Sequence, residues 1–205
     1  MLGLLAVVIA YLLGSIPFGF LLVKFTKGED VRTAGSGNIG ATNVLRTTGR
    51  AAGAITLLLD IAKGLAAVWL AALLTDDAPE WTSLAALAAM AGHAYPVFLK
   101  FQGGKAVATF IGAFALLTPL PLAATLVVFV LTVAVTRHIS AGSILAAAAF
   151  PFGVWMILHP PYQMTAAAFV AGAFVIFRHQ ANWQRLRAGT ESVFTLGSKP
   201  AGGSN

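Results

Sequence analysis

Four stretches of the chain carry no charged residue, 1–23, 81–99, 106–136 and 139–177, and a fifth apolar run, 51–75, contains only Asp60 and Lys63. About 20 residues of helix cross a bilayer core, so 1–23, 51–75 and 81–99 each predict one spanning helix. The runs 106–136 and 139–177 are too long for that. Each contains a proline-marked break, "TPLP" at 118–121 and "HPPY" at 159–162. Proline cannot continue the helical hydrogen-bond ladder, and paired prolines favour a turn. Splitting both runs predicts an all-α integral membrane protein of seven transmembrane helices. The pieces 106–117 and 122–136 are short, so helix 4 is expected to be short or partly re-entrant.

The charges orient this arrangement. The first basic residue, Lys24, follows the first apolar run, whereas a signal peptide carries its charge ahead of it. A retained first helix with its N-terminus outside is expected. The inner segments are then 24–50, 100–105, 137–142 and 178–205, and they hold twelve of the thirteen Lys and Arg. The outer segments 76–80, 118–121 and 159–162 hold none, the positive-inside pattern. The C-terminus falls on the cytoplasmic side. Residues 1–196 are expected to form one transmembrane domain and 197–205 a flexible tail.

Composition narrows the chemistry. A mean hydropathy of +0.84 with 10% charged residues is far from a soluble domain. Net charge +6 follows from the inner loops and needs no nucleic-acid partner. The chain has no cysteine, which excludes disulfides, thiolate metal sites and an acyl-cysteine intermediate. Seven scattered acidic residues argue against a carboxylate-bound metal pair, and no metal or cofactor is expected.

The inner segments hold more than cations. Gly35-Ser36-Gly37-Asn38-Ile39-Gly40 fits the dinucleotide fingerprint G-x-G-x-x-G, but polar residues precede it where a buried strand is required, and Asp60, at the right distance, lies in an apolar run. A glycine-rich turn at a helix N-terminus remains, where free N–H groups favour an anion; a flexible anchoring loop stays equally open. A helix beginning near Ala41 would set Asn43, Arg46 and Arg50 on one face. Gly103-Gly104-Lys105 places two amides beside an ammonium, and is not a Walker A loop because Ala106 stands where Ser or Thr is needed. Lys105 would bind phosphate as a point charge or simply snorkel. "RHISAGS" at 137–143 offers Ser140 and Ser143. If the last helix continues through 178–185, Arg178, Asn182 and Arg185 line one face, with His179 beside Asn182. Asp60 and Lys63 are spaced to pair on one helix and to face the protein interior, and His93 reads as a structural hydrogen-bonding residue.

Four segments in register, "SGNIGATNVLRTTGR", "GHAYPVFLKFQGGKAVAT", "RHISAGSI" and "RHQANWQRLRAGTE", with "LLDIAKG" between the first two, resemble the bacterial membrane acyl-phosphate:glycerol-3-phosphate acyltransferases. The resemblance covers nearly the whole chain. It implies seven helices in the bacterial inner membrane and an active site facing the cytoplasm. It also implies transfer of a fatty acyl group from acyl phosphate to glycerol 3-phosphate, giving lysophosphatidate and phosphate for phospholipid synthesis. Carried over by motif, the functional residues would be Ser36, Asn38, Asn43, Arg46, Lys105, Ser143, His179 and Asn182. Gly37, Gly40, Gly103, Gly104 and Ser140 are expected to help hold the substrate phosphates. Two positions depart from the family pattern: Ala106 replaces the last glycine of GGKG, and His138 replaces an aromatic residue.

An activated acyl phosphate needs no enzyme nucleophile, and none of the four histidines has aspartate five positions later, which excludes the His-x4-Asp mechanism. Direct attack by the acceptor hydroxyl is expected. Arg46 and Lys105 would clamp phosphates, Ser36, Ser143 and Asn182 would donate hydrogen bonds, and glycine-loop amides would stabilise the oxyanion. The proton would pass to His179 or to a substrate phosphate, since no carboxylate base is apparent. An organic-phosphate transporter, an anionic-lipid scaffold and an acyl-CoA donor remain as alternatives.

Overall fold

A computed structural model describes residues 1–194; the expected tail at 197–205 lies outside them. The described residues contain helices and no strand. In chain order the helices are α1 (Leu2–Ser15), α2 (Phe18–Lys27), α3 (Ala41–Thr48), α4 (Arg50–Thr75), α5 (Pro79–Ala94), α6 (Val107–Leu117), α7 (Pro119–Thr136), α8 (Ile139–Leu158), α9 (Tyr162–Arg178) and α10 (Gln180–Arg187).

The expected boundaries hold where proline or glycine sets them. The TPLP break separates α6 from α7 at Thr118, and HPPY separates α8 from α9. At eleven residues, α6 rises only about 16 Å, as expected for a short fourth helix. Two expectations need correction. The first run is not one helix: Pro17, which has no N–H to donate, breaks it between α1 and α2, and α2 continues to Lys27. The last helix does not continue through 178–185 either. It breaks at His179, and α9 and α10 meet at 56°. Counting α1 and α2 together, five stretches are long and apolar enough to cross a membrane, and a sixth if α9 and α10 form one span.

Small residues let the helices touch backbone to backbone, the expected mode of association in lipid. Gly14 of α1 lies on the Ala89 backbone of α5, and Gly92 of α5 lies on the Tyr11 carbonyl. Gly64 of α4 and Gly112 of α6 make the same reciprocal contact, against Thr109 and Ile61. Phe110, Phe114 and Phe150 form the centre of the core between α6 and α8, with ring centroids 4.7 to 5.0 Å apart. These rigid crossings fix where the α2–α3 loop, the α5–α6 turn, the start of α8 and the α9–α10 break converge.

Candidate active site

The first glycine turn is organised from within. Asn43, in the first turn of α3, is only 2% exposed. Its Oδ1 accepts from the Ser36 amide at 2.8 Å. Its Nδ2 donates towards the carbonyls of Asn38 at 2.8 Å and of Val31 and Ala34 at 3.1 Å. Asn38 in turn uses Oδ1 to accept from the Gly40 amide at 2.8 Å, satisfying one free donor at the start of α3. Gly35 has φ +61° and presses on the Asn43 amide, so no other residue fits there. The side chain of Asn43 is thus consumed in shaping the loop, while Ser36 and Gly37 are left exposed at its tip.

The second turn is held from outside. The Gly104 amide donates to the His93 carbonyl at 3.0 Å, capping the end of α5. This amide is therefore already engaged, contrary to the expectation that it faces an anion. From α9, Arg178 donates to the Gly104 carbonyl through Nε at 3.1 Å and Nη2 at 2.9 Å. Its guanidinium also stacks 4.9 Å over the Tyr95 ring. Ala106, where the family has glycine, is fully buried with φ +61°, the left-handed conformation.

Lys105, between these constraints, makes no hydrogen bond or ion pair among the described residues. Burial pushes its pKa down to about 8; Glu191 opposes that shift, and Arg46, Arg185 and Arg178 add to it. A cation so placed, among other cations, is short of anionic charge. Arg46 is exposed on α3, near enough for its charge to be felt at Lys105.

The third constellation centres on Glu191, which overturns the expectation of a site without a carboxylate. Its Oε1 accepts from Ser140 at 2.8 Å and Asn182 at 2.6 Å, and its Oε2 from Arg185 at 2.7 Å. Burial opposes its charge, but these hydrogen bonds outweigh burial and hold the carboxyl below the usual range. The following residues are pinned beside α8, where the Phe194 amide donates to the Arg137 carbonyl at 2.7 Å.

Because a carboxylate only accepts, the Asn182 NH₂ must face Glu191. Its Oδ1 is buried without a partner, so the free end of Asn182 is an acceptor rather than the expected donor. His179 places Nδ1 2.7 Å from the Val175 carbonyl, so Nδ1 carries the proton and Nε2 the lone pair. Burial, then the Lys105 charge, lowers its pKa to about 4, and the ring is neutral. Ser143 is buried and donates to the Ile139 carbonyl of its own helix at 2.9 Å. The hydroxyl protons of Ser140 and Ser143 are both engaged in this structure.

Ser36, Asn38, Tyr95, Lys105, Arg178, Asn182 and Arg185 line one cleft of about 410 Å³. Of the expected residues, Ser36, Asn38, Lys105 and Asn182 therefore meet there, whereas Asn43, Arg46, Ser140, Ser143 and His179 do not line it.

A family model described as Glycerol-3-phosphate acyltransferase matches residues 4–189. The chain belongs to the glycerol-3-phosphate acyltransferase family. It is 51% identical over 186 residues to a glycerol-3-phosphate acyltransferase of Geotalea daltonii, covering 90% of this chain and 94% of the relative. It is 50% identical over 194 residues to one from Trichlorobacter lovleyi, covering 94% and 97%. Among solved structures, it resembles PlsY, an integral membrane glycerol 3-phosphate acyltransferase, in its glycerol 3-phosphate form. There the TM-score is 0.89 at 36% identity, over 94% of this chain and 96% of the other. The lysophosphatidic acid form gives 0.85 at 34% identity, over 94% and 95%.

Two residues of this acyltransferase site are not evident from the chain. Glu191 ends a basic stretch and looks like its terminal solvated charge. Arg178 stands out only as part of a helix face that does not form. Arg178 reaches Gly104 and Glu191 reaches Ser140, both more than fifty positions away, and the bonds of Glu191 to nearby Asn182 and Arg185 form only because the chain turns back after α10.

Proposed function

We propose that the protein transfers a fatty acyl group from acyl phosphate to the sn-1 hydroxyl of glycerol 3-phosphate, releasing lysophosphatidate and inorganic phosphate. It does so as a seven-span protein of the bacterial inner membrane, N-terminus outside, with the cleft facing the cytoplasm. The observation that carries this reading is the Lys105 ammonium, without a hydrogen-bond or ion-pair partner among the described residues, in one cleft with Arg178 and Arg185 and within reach of the Arg46 charge. Two phosphorylated substrates would supply the missing anionic charge. The names of the relatives, and the bound forms of the related structures, support glycerol 3-phosphate as acceptor and lysophosphatidate as product.

In the proposed reaction the acceptor oxygen attacks the acyl carbonyl, a C–O bond forms, and the carbonyl–phosphate bond breaks. Lys105 and Arg46 hold phosphates, and Ser36, at the loop tip, donates to one of them. Asn182 Oδ1 accepts from a glycerol hydroxyl, and His179 Nε2 accepts from the attacking one. His179, with a pKa of about 4, is a weaker base than a phosphate monoester dianion, whose second pKa is about 6. As the hydroxyl attacks, its proton therefore leaves the hydrogen bond to His179 Nε2 for the departing phosphate oxygen, and neither an acyl-enzyme nor a cofactor is needed.

The test uses purified protein in detergent with glycerol 3-phosphate and either palmitoyl phosphate or palmitoyl-CoA, following lysophosphatidate by mass and phosphate release. Product from the acyl phosphate alone, reduced at least about 10³-fold by Lys105→Ala, is expected. Product from the CoA ester alone would replace the donor. No product with either donor from folded protein would remove the acyltransferase reading for this chain.

A further inference from the structure

Beneath the Gly103-Gly104-Lys105 turn lies a buried charged group that the proposed chemistry does not use. Asp60 and Lys63, one turn apart on α4, are each 2% exposed at the side chain, with Nζ 2.8 Å from Oδ1. The Lys63 ammonium also donates to the Ile16 carbonyl at 2.8 Å and sits 5.7 Å from the centre of the Phe18 ring, so it binds both sides of the α1–α2 break. On the other side of Asp60, buried His93 Nδ1 lies 3.6 Å from the same Oδ1, longer than a hydrogen bond, and has no hydrogen-bond partner among the described residues.

His93 then meets the phosphate turn at two points. Its carbonyl accepts from the Gly104 amide at 3.0 Å. Its ring approaches Gly104 so closely, Nε2 foremost, that a Cβ there would collide with it. Gly103 is packed in the same way on the His93 and Ala94 carbonyls. A buried ion pair is a weak stabiliser, because desolvating both charges offsets most of their attraction. This one directs its polar groups to two backbone breaks, one at Pro17 and one at the glycine turn.

We propose that Asp60, Lys63 and His93 are positioning residues that set the Gly103-Gly104-Lys105 turn from beneath and lock it to the α1–α2 break. Asp60 orients the His93 ring, and the ring and carbonyl of His93 fix the height of the turn. Lys63 pairs with Asp60 and ties both to the first span. The inference rests on the reading that this turn holds a substrate phosphate. It adds that the placement of the turn, and so the rate, is governed from a site the substrate never touches. A displacement of about 1 Å costs as much as 10²-fold in rate.

The test measures kcat and KM for glycerol 3-phosphate, thermal melting, and the affinity for inorganic phosphate by calorimetry, the last of which needs no turnover. His93→Leu is expected to lower kcat about 30-fold and phosphate affinity about 10-fold, with a folded fraction like that of the unmodified protein. His93→Asn, which keeps an N–H where Nδ1 stood, is expected to recover most of both. Gly104→Ala, crippling alone, is expected to regain at least about tenfold when combined with His93→Ala, which vacates the space its Cβ needs. The combined variant decides the matter if His93→Leu does not fold. Unchanged kcat and phosphate affinity in folded His93→Leu, or strictly multiplicative losses in the double variant, would overturn the proposal. An unmodified protein that binds phosphate but makes no lysophosphatidate would defeat the proposed reaction instead, and the phosphate affinities would still judge the positioning.

Discussion

The turn at Gly35–Gly40 and the turn at Gly103–Lys105 both reach the same cleft, the first through Ser36 and Asn38 and the second through Lys105, yet they are built differently. The first is held by Asn43, whose amide reaches back to Val31, Ala34, Ser36 and Asn38, all within twelve residues. The second is held by His93 from α5 and Arg178 from α9, with the Asp60–Lys63 pair of α4 behind them. A locally tied loop keeps its shape wherever the helices carry it. A turn tied to three helices takes its shape from how those helices pack. The first is therefore set by its own residues, and the second by how the bundle packs around it.

The largest expected effect tests the local turn. Asn43→Ala removes one acceptor and the donors to three carbonyls, each buried group left unpaired costing about 1–3 kcal/mol. A loss of about 10³-fold in kcat/KM and ready proteolysis within 34–40 are expected, with Asn43→Asp intermediate because only the bond to the Ser36 amide survives. Wild-type kinetics in Asn43→Ala would show that the loop is shaped by packing and not by this side chain.

Arg178→Ala releases two carbonyls of the distant turn, and a rise in KM for glycerol 3-phosphate of about tenfold is expected. Lysine at this position should recover little, since a single ammonium cannot reproduce the forked contact or the stacking on Tyr95. Full recovery by Arg178→Lys would reduce the role of Arg178 to charge alone.

The same turn should respond to pH. Lys105 is depressed from 10.5 to about 8, and a bound phosphate favours its charged form. Phosphate affinity should be flat below pH 8 and fall up to tenfold per unit above it, with a proton taken up on binding in that range. Stability of the free protein should move the other way. Between about 8 and 10.5 the unfolded chain binds more protons, so the Lys105 contribution rises with pH. Titration calorimetry in buffers of different ionisation heat reads the first, and chemical unfolding across pH reads the second. Affinity that is level from pH 7 to 9.5 would remove Lys105 from the phosphate.

The smallest effect concerns Ala106. Ala106→Gly relieves a left-handed alanine but frees the unfolded chain, and the two nearly offset. A stability change within about 1 kcal/mol and a change in kcat under about threefold are expected. A larger drop in kcat would mean that the stiff residue after Lys105 is itself needed to hold the externally tied turn.

Much of this molecule is legible in its amino-acid order. The apolar runs and their proline breaks place α4 to α9 within a few residues, because in lipid a helix must satisfy its own backbone and proline cannot. The helix start at Ala41 and the shared use of Ser36, Lys105 and Asn182 are readable from motif and residue type. Pro17 is visible too, but within an uncharged run it is hard to tell a break from a tolerated kink.

What the chain alone decided is therefore its class, its membrane habit, its family and the identity of the charged and glycine-rich turns, all carried by composition and local order. Tertiary structure alone decided which polar atoms remain free. It committed Asn43 to its own loop and the Gly104 amide to His93, and it turned the Asn182 NH₂ to Glu191, leaving Oδ1 buried without a partner among the described residues. It also brought Arg178 to the cleft and Glu191 against its lining residues Asn182 and Arg185, and left Lys105 unpaired among the described residues. A hydrogen-bonding group has few partners to satisfy, and contacts between helices distant in sequence determine which of them it meets.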